Sequence, residues 1–350
     1  MVDVLGLDGT RPRAIVSERL GPIGDEERRI ATAGAELTAA PLWNLDEITA
    51  NAAGAHLLLV GAVEPFDATA LAALPDLRLL VRRGVGVDNV DVDAASRLGI
   101  VVANVPDASV EEVSDHALAL LLAIERRIVP LDGAVHDGVW QRDPRGIASV
   151  RTGIRRLSEL SLGIAGFGRI GRALARKARP LYGRMLVADP VVDPAVVEAD
   201  GATLVPLEQL LAETDHLSLH APLLPSTHHL IDAAAIDRLR PGVVIVNTSR
   251  GGLVDESAIV AGLASGRVAW AGLDVTEHEP LPAGDPLLDA ERLVLTAHSA
   301  ASSETAGREL GRRSVDAMVD VLEGRLPASV VDPDVLAAPN LRATGLATRR

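Results

Sequence analysis

Short apolar runs alternate with longer Ala- and Leu-rich amphipathic stretches through most of this chain. In the first hundred residues the β-rich runs are Ala14–Val16, His56–Val60, Leu77–Val81 and Ile100–Asn104. Helical patterns such as Asp67–Ala73 and Asp93–Leu98 separate them. Alternation of this kind predicts an α/β fold, with a mostly parallel sheet and helices on both of its faces.

A second series of apolar runs fills the middle of the chain, and each run ends in a polar cluster. The runs are Leu162–Ala165, Met185–Ala188, His216–Leu219, Val243–Val246, Ala271–Leu273 and Leu293–Leu295. They predict a six-stranded parallel sheet. Open parallel sheets bind ligands outside the carboxyl ends of their strands, so the polar clusters are expected to converge on one cleft.

The segments between and after these sheets predict how the domains are divided. A long helix is expected from Ser109 to Ile128, with acids in its first turn, followed by a loop over Asp137–Arg156. A helix over Ser303–Leu322 returns the chain to the first domain, and the tail from Pro327 is expected to be extended or partly disordered. The predicted domains are 1–112 with 303–350, and 113–302.

Length, charge and composition limit the class of protein. A chain of 350 residues exceeds what one hydrophobic core usually spans, which favours two domains. The formal net charge is −14, and no Lys/Arg stripe is present, so no nucleic-acid partner is expected. There is no cysteine, which excludes disulfides, thiol nucleophiles and Cys-ligated metals.

The chain also lacks the patterns of secreted and membrane proteins. The acids Asp3 and Asp8 stand where a signal peptide would be basic and then apolar. The longest apolar run, Ala117–Ile124, is far shorter than the roughly 20 residues that span a bilayer. A cytoplasmic protein without a membrane partner is therefore predicted.

A glycine loop follows the first strand of the second series. Gly166, Gly168 and Gly171 have the spacing of a dinucleotide-binding turn, and a helix follows them. Asp189, about 20 residues further on and at the next strand end, suits a ribose 2′-hydroxyl and would repel a 2′-phosphate. NAD is therefore predicted rather than NADP, although a tight turn without a ligand would also explain the glycines.

Three further strand ends carry residue types suited to reduction of a 2-oxo acid. Arg250 offers a planar fork for a carboxylate. Glu279 beside His298 would stabilise the protonated imidazole, which would make His298 a proton donor to the ketone and, in reverse, a base. Taken singly, each has a structural interpretation: an ion pair, a solvated acid and a structural histidine.

The remaining histidines are weaker candidates. His220 ends the third strand and could hydrogen-bond within its own loop, and the adjacent His228 and His229 lack metal-ligand spacing, so no metal is predicted. The sequence has no Gly-x-Ser-x-Gly elbow, which argues against an α/β-hydrolase.

Together these motifs resemble the D-isomer-specific 2-hydroxyacid dehydrogenases, over roughly Leu77 to Gly324. The blocks that carry the resemblance are Gly84–Asp91, Asn104–Pro106, Ser109–Glu112, Gly166–Gly171, His220–Pro222, Val246–Glu256, Leu273–Val275, Glu279–Pro280 and Thr296–His298. Within the family, the chain looks most like the branch of phosphoglycerate dehydrogenases and C-terminal-binding-protein corepressors.

The resemblance implies a Rossmann-type NAD domain and a smaller, flavodoxin-like substrate domain that close on the ligand in a homodimer. It implies that Arg250, Glu279 and His298 are catalytic. The implied cofactor contacts are Val85, Gly166, Gly168, Arg169, Ile170, Gly171, Asp189, Ala221, Pro222, Thr248, Ser249 and Asp274, with Asp274 facing the nicotinamide amide. The implied substrate contacts are Arg82, Val85, Gly86 and Arg250.

The chain departs from the family pattern at two positions. Ala297 replaces a usual proline, which should matter little for chemistry. Ala301 stands where the corepressor branch has a tryptophan, which suggests a roomier pocket and leaves the substrate open. Arg82 and Arg83 could favour a second anionic group, or be one substrate contact and one surface charge. The alternative function is an NADH-responsive, corepressor-like binding protein with little turnover.

Overall fold

The computed structural model of the chain describes residues 9–21, 24–344 and 346. These residues form two compact units. The first contains the residues up to Ser109 together with those from Ser303 onward, and the second is Val110–Ser302. Each unit is built around its own parallel sheet. This confirms the predicted α/β class.

The elements follow one another in a regular α/β order. The strands are β1 Arg13–Ser17, β2 Glu36–Ala40, β3 Leu57–Val60, β4 Leu79–Arg82, β5 Val101–Asn104, β6 Ser161–Ala165, β7 Arg184–Ala188, β8 Thr203–Leu204, β9 His216–Leu219, β10 Val243–Asn247, β11 Val268–Leu273 and β12 Leu293–Leu295. The helices are α1 Asp25–Thr32, α2 Leu45–Asn51, α3 Ala68–Ala72, α4 Val92–Arg97, α5 Val110–Glu125, α6 Ile128–His136, α7 Val139–Arg142, α8 Gly146–Arg151, α9 Arg169–Ala178, α10 Pro194–Ala199, α11 Leu207–Glu213, α12 Ala233–Arg238, α13 Glu256–Ser265 and α14 Glu304–Leu322. Short 3₁₀ turns occur at Glu18–Leu20, Leu157–Glu159, Gly251–Leu253, Pro286–Asp289 and Pro333–Ala337.

The first sheet has the strand order β2-β1-β3-β4-β5, with every neighbouring pair parallel. This is the order of flavodoxin-like folds, with its switch point between β1 and β3. Strands β3 and β4 are buried along their whole length. Because helices cover both faces of the sheet, these strands consist mainly of consecutive apolar residues rather than of alternating apolar and polar residues.

The C-terminal residues belong to the first unit. Helix α14 is capped by Ser303, whose Oγ accepts a hydrogen bond from the Ala306 amide at 2.9 Å. The tail after it is more regular than the predicted extended segment. Val330 pairs antiparallel with Ala103, and a 3₁₀ turn follows at Pro333–Ala337. Apolar side chains of the tail, such as Val335, are buried in the first unit's core.

The second sheet has the strand order β12-β11-β10-β9-β6-β7-β8. Relabelled from β6, this is the doubly wound order 3-2-1-4-5-6 with one more strand at an edge, and its switch point lies between β6 and β9. The predicted six strands are all present, and β8 is a seventh. At two residues, Thr203–Leu204, β8 is too short to give a strand pattern in the sequence.

Two predictions about the start of the second unit need correction. The helix expected to run to Ile128 ends as α5 at Glu125, because Arg127 takes a left-handed conformation with φ of 56°. The expected loop over 137–156 contains the short helices α7 and α8, which span too few residues to show helical periodicity.

No helix in the described part of the chain is long and apolar enough to cross a membrane. The N-terminal segment with Asp3 and Asp8, on which the prediction of no signal peptide rests, lies outside the described residues.

Candidate active site

The polar clusters of the second unit lie along one edge of its sheet. All neighbouring strands of this sheet are parallel, so their carboxyl ends point the same way. In spatial order from β12 to β7, the residues that follow the strands are His298, Asp274, Arg250, His220, Gly166 and Asp189. The switch point, where ligands bind in open α/β sheets, falls between the loops after β6 and β9.

The three glycines of the first loop have different surroundings. Gly166 has φ of 90°, and a Cβ there would lie 2.6 Å from the Ala221 amide nitrogen. A Cβ on Gly171 would lie 2.3 Å from the carbonyl oxygen of Gly166, so helix and strand pack too closely for a side chain. A Cβ on Gly168 would meet nothing within 4 Å. The loop is therefore tight on its inner side and open at Gly168.

Helix α9 begins directly after this open position. Its N-cap residue is Gly168, which has no side chain to cap the first turn. The first N–H groups of a helix lack intrahelical partners and carry the positive end of the helix dipole. The geometry suits the pyrophosphate of a dinucleotide.

Asp189 is held in place by main-chain groups. Its Oδ2 accepts a hydrogen bond from the Phe167 amide at 2.7 Å, which joins the end of β7 to the glycine loop. Its Oδ1 accepts from the amides of Val191 and Val192 at 2.9 and 3.1 Å. The carboxylate is thus fixed beside the loop, as the spacing in the sequence predicted.

A fully buried asparagine shapes the turn after β10. Asn247 Nδ2 donates to the Arg250 carbonyl at 2.8 Å, and Asn247 Oδ1 accepts from the Ser249 amide at 3.0 Å. Ser249 Oγ donates to the Ala221 carbonyl at 2.8 Å. Among the residues that the structure describes, the buried Thr248 Oγ1 has no hydrogen-bond partner. No pattern in the sequence points to a role for Asn247, because only the folded turn shows what it holds.

Glu279 and His298 form a close pair. His298 Nδ1 lies 2.6 Å from Glu279 Oε2, and Glu279 Oε1 accepts from the Thr276 amide at 3.1 Å. With Nδ1 engaged by a carboxylate, Nε2 is the ring atom left for proton exchange. His298 has φ of 49°, a conformation that costs a non-glycine residue about 1–3 kcal/mol and persists where the surroundings enforce it.

Asp274 organises the loop that carries His298. Its Oδ1 accepts from Thr296 Oγ1 at 2.5 Å and from the Ser299 amide at 2.9 Å, and its Oδ2 accepts from the Ala300 amide at 3.0 Å. Burial raises the pKa of Asp274, but these hydrogen bonds and the nearby His116 outweigh burial and lower it below its usual value. The carboxylate is therefore ionised although it is almost completely buried.

In the first unit, the residues predicted to contact substrate follow β4. Arg82 ends the strand, and Val85 and Gly86 lie in the loop after it. Asn104 Nδ2 donates to the Val85 carbonyl at 2.7 Å, which anchors the loop while the Val85 residue stays 37% exposed.

Arg83 has a more definite environment than the sequence indicated. It is half-buried, and its guanidinium donates to the main-chain carbonyls of Leu20 at 3.3 Å and Gly307 at 3.2 Å. These bonds engage both terminal nitrogens, so Arg83 ties segments of the first unit together.

The other histidines have local partners. His220 Nε2 lies 2.8 Å from Ser218 Oγ, and burial lowers the pKa of His220 to about 4, so its ring is neutral at pH 7. His228 and His229 stack with ring centroids 3.9 Å apart, and His229 Nε2 lies 3.0 Å from Glu277 Oε1.

A doubly wound sheet whose carboxyl edge carries a glycine loop, a fixed acid, an arginine and a His–Glu pair defines a nicotinamide-dependent oxidoreductase. The sequence profile of the D-isomer specific 2-hydroxyacid dehydrogenase NAD binding domain matches residues 118–300. The chain belongs to the D-isomer specific 2-hydroxyacid dehydrogenase family. It is accordingly a nicotinamide-dependent D-2-hydroxyacid dehydrogenase, which confirms the predicted enzyme class.

Curated relatives and a solved structure support the same family. Glyoxylate reductase of Korarchaeum cryptofilum is 37% identical over 273 residues, which is 78% of this chain and 81% of that protein. D-3-phosphoglycerate dehydrogenase of Mycobacterium bovis is 37% identical over 287 residues, which is 82% of this chain but only 53% of that protein. The TT0316 protein of Thermus thermophilus superimposes with a TM-score of 0.80 and 33% identity, over 91% of this chain and 100% of its own.

Proposed function

We propose that this dehydrogenase interconverts a small 2-oxo acid and the D-2-hydroxy acid, with Arg250, Glu279 and His298 as its catalytic residues. The observation that carries the proposal is the 2.6 Å contact between His298 Nδ1 and Glu279 Oε2, on the same sheet edge as Arg250. A fixed carboxylate that orients an imidazole is the arrangement required of an acid/base catalyst.

The proposed cofactor is NAD, and two observations support the fit. The open face of Gly168 leaves room for a pyrophosphate, and the unpartnered Thr248 Oγ1 is a polar atom that a ligand would satisfy. The residues proposed to hold it are Val85, Gly166, Gly168, Arg169, Ile170, Gly171, Asp189, Ala221, Pro222, Thr248, Ser249 and Asp274. When bound, NADH supplies the hydride.

The chain's own residues supply binding and proton transfer in this mechanism. Arg250 binds the substrate carboxylate through its planar fork and polarises the adjacent ketone. His298 Nε2 gives its proton to the ketone oxygen during reduction and accepts it back during oxidation. Glu279 holds the ring and balances the charge of the protonated form.

We assign the NAD-binding role to the second unit and the substrate-binding role to the first, with Arg82, Val85 and Gly86 as its contacts. The two relatives, named glyoxylate reductase and D-3-phosphoglycerate dehydrogenase, leave open whether the substrate carries a phosphate. Because its guanidinium donates to two main-chain carbonyls, we assign Arg83 a structural role in the first unit.

The decisive experiment measures NADH oxidation with pyruvate, glyoxylate, hydroxypyruvate, 2-oxobutyrate and their phosphorylated analogues, and NAD reduction with D-3-phosphoglycerate. Turnover with an unphosphorylated acid supports the proposal. NADH binding without turnover on any of them would favour the regulatory alternative instead.

Exchange of Asp189 for alanine is expected to lower the preference for NADH over NADPH by about 10- to 100-fold. The variant would lack the hydrogen bond from the ribose hydroxyl to Asp189, which is worth about 1.5–3 kcal/mol. It would also lack the negative charge that repels a 2′-phosphate. The ratio of kcat/KM for the two cofactors measures the effect. Asp193→Ala, a like change at the cap of α10, is the control, and an unchanged ratio in Asp189→Ala would refute the assignment.

We also propose a homodimer formed through α6 and α7. These consecutive helices pack on each other and expose the large apolar side chains of Ile128, Val129, Val135 and Trp140. Exposed apolar patches of this kind mark association surfaces. The cytoplasmic location remains a prediction.

The chain is expected to sediment at twice its mass of 36.6 kDa. Trp140→Asp should raise the dissociation constant of the dimer at least about 30-fold, because a buried tryptophan at an interface typically contributes 2 kcal/mol or more. Leu288→Asp, at a similarly exposed apolar residue, should leave the mass unchanged. A monomeric wild type would contradict the proposal.

A further inference from the structure

His116, on helix α5, contacts the group of residues that holds the catalytic loop. Its Nε2 lies 3.0 Å from Thr296 Oγ1 and 3.5 Å from Asp274 Oδ1. Its side chain is 24% exposed, whereas that of Asp274 is 1% exposed. The same helix packs into the core of the second unit through apolar side chains such as Leu120 and Ile124. His116 adds a polar contact beside these apolar residues.

The hydrogen bonds assign the proton on this histidine. An ionised carboxylate only accepts, so the single hydroxyl proton of Thr296 goes to Asp274 Oδ1, at 2.5 Å. Thr296 Oγ1 is then an acceptor toward His116, and His116 Nε2 must carry a hydrogen. His116 therefore donates to Thr296, and Thr296 donates to the Asp274 carboxylate, which only accepts.

Asp274 in turn binds the loop that carries His298. The loop after β12 is bound to the Asp274 carboxylate on both sides of His298, through Thr296 before it and through the amides of Ser299 and Ala300 after it. The His298 amide donates to the Asp274 carbonyl at 2.7 Å. The loop that holds His298 in its left-handed conformation is thus bound to Asp274, and His116 of α5 contacts Thr296 and Asp274.

We propose that His116 is a positioning residue for the dehydrogenase reaction: by donating to Thr296, it fixes the Asp274 carboxylate and so the loop that presents His298. This inference rests on the proposed function of His298 as acid/base. His116 touches neither substrate nor cofactor in this role, and it acts only through Thr296 and Asp274.

The test compares His116→Leu with His116→Gln. Leucine removes the donor, whereas the glutamine amide can place an N–H near the position of Nε2. His116→Leu should lower kcat about tenfold, which corresponds to about 1.4 kcal/mol in activation free energy. The dissociation constant of NADH should stay within about threefold, because Asp274 is only one of the proposed cofactor contacts and the others, Asp189 and the glycine loop among them, are untouched. His116→Gln should recover most of the lost kcat.

A double-mutant cycle with Thr296→Val separates this role from a merely structural one. If His116 acts through Thr296, then His116→Leu should lower kcat no further in the Thr296→Val background. Additive losses would overturn the proposal. So would a His116→Leu variant that melts at a lower temperature but keeps the wild-type kcat per folded molecule.

A second readout does not need turnover. The Hε1 resonance of His298, assigned with His298→Asn, should move in His116→Leu and return toward its wild-type position in His116→Gln. An unmoved resonance would overturn the proposal. Absence of wild-type turnover with every 2-oxo acid would refute the proposed function, whereas wild-type turnover with an unaffected His116→Leu would refute only the role of His116.

Discussion

Replacing Arg250 by alanine is expected to lower kcat/KM for the 2-oxo acid by about 10²- to 10⁴-fold. A bidentate pair with a carboxylate comprises two charge-assisted hydrogen bonds, each worth about 1.5–3 kcal/mol. The dissociation constant of NADH, measured by fluorescence titration, should stay close to that of the wild type. Arg250 is not among the residues proposed to hold the cofactor, so its loss is expected to weaken substrate binding rather than NADH binding.

Two variants sharpen this experiment. Arg250→Lys keeps the charge but loses the fork, so it should recover only part of the lost activity. Arg238→Ala removes an exposed arginine of α12 in the same unit and should have no effect. Equal losses of turnover and of NADH binding in Arg250→Ala would rule out the role assigned to it.

His298→Asn is expected to lower kcat by about 10²- to 10⁴-fold, the usual contribution of a general acid. Asparagine can still place an N–H toward Glu279 but has no group at the position of Nε2, so it tests proton transfer separately from the Glu279 contact. Steady-state kcat of the variant and of the wild type measures the effect.

The matched control is His136→Asn, which makes the same chemical change at an exposed histidine of α6. It should keep the wild-type kcat. If His298→Asn also retained the wild-type kcat, another group would have to be the proton donor.

Hydrophobic patterning predicted most of the fold because buried parallel strands leave continuous apolar runs in a sequence. Patterning did not predict an element that is too short to show a period, or a helix that ends where one residue takes a non-helical conformation. Strand β8 has two residues, and the long helix is divided at Arg127 by a left-handed conformation. Patterning also could not show that the tail packs on the first unit, because the apolar residues of the tail are few and become buried only against that unit's core.

The cofactor part of the site was predictable because its signals are local. The glycine spacing, the strand before it and Asp189 all follow from distances along the chain. The sequence could predict the pairing of His298 with Glu279 only from their positions after strands of one parallel sheet, since 19 residues separate them along the chain. Whether they touch depends on the course of two loops, which residue types alone do not specify.

The sequence by itself determined the α/β class, the dinucleotide-binding turn and the identity of the catalytic candidates, because these depend on periodicity and spacing along one chain. Only the tertiary structure decided which side chains support them. Asn247 within its turn, Arg83 on two main-chain carbonyls, and His116 bonded to Thr296 across 180 residues became visible only there. The partners in hydrogen bonds of this kind come together only in the folded chain, and their spacing in the sequence follows no regular pattern.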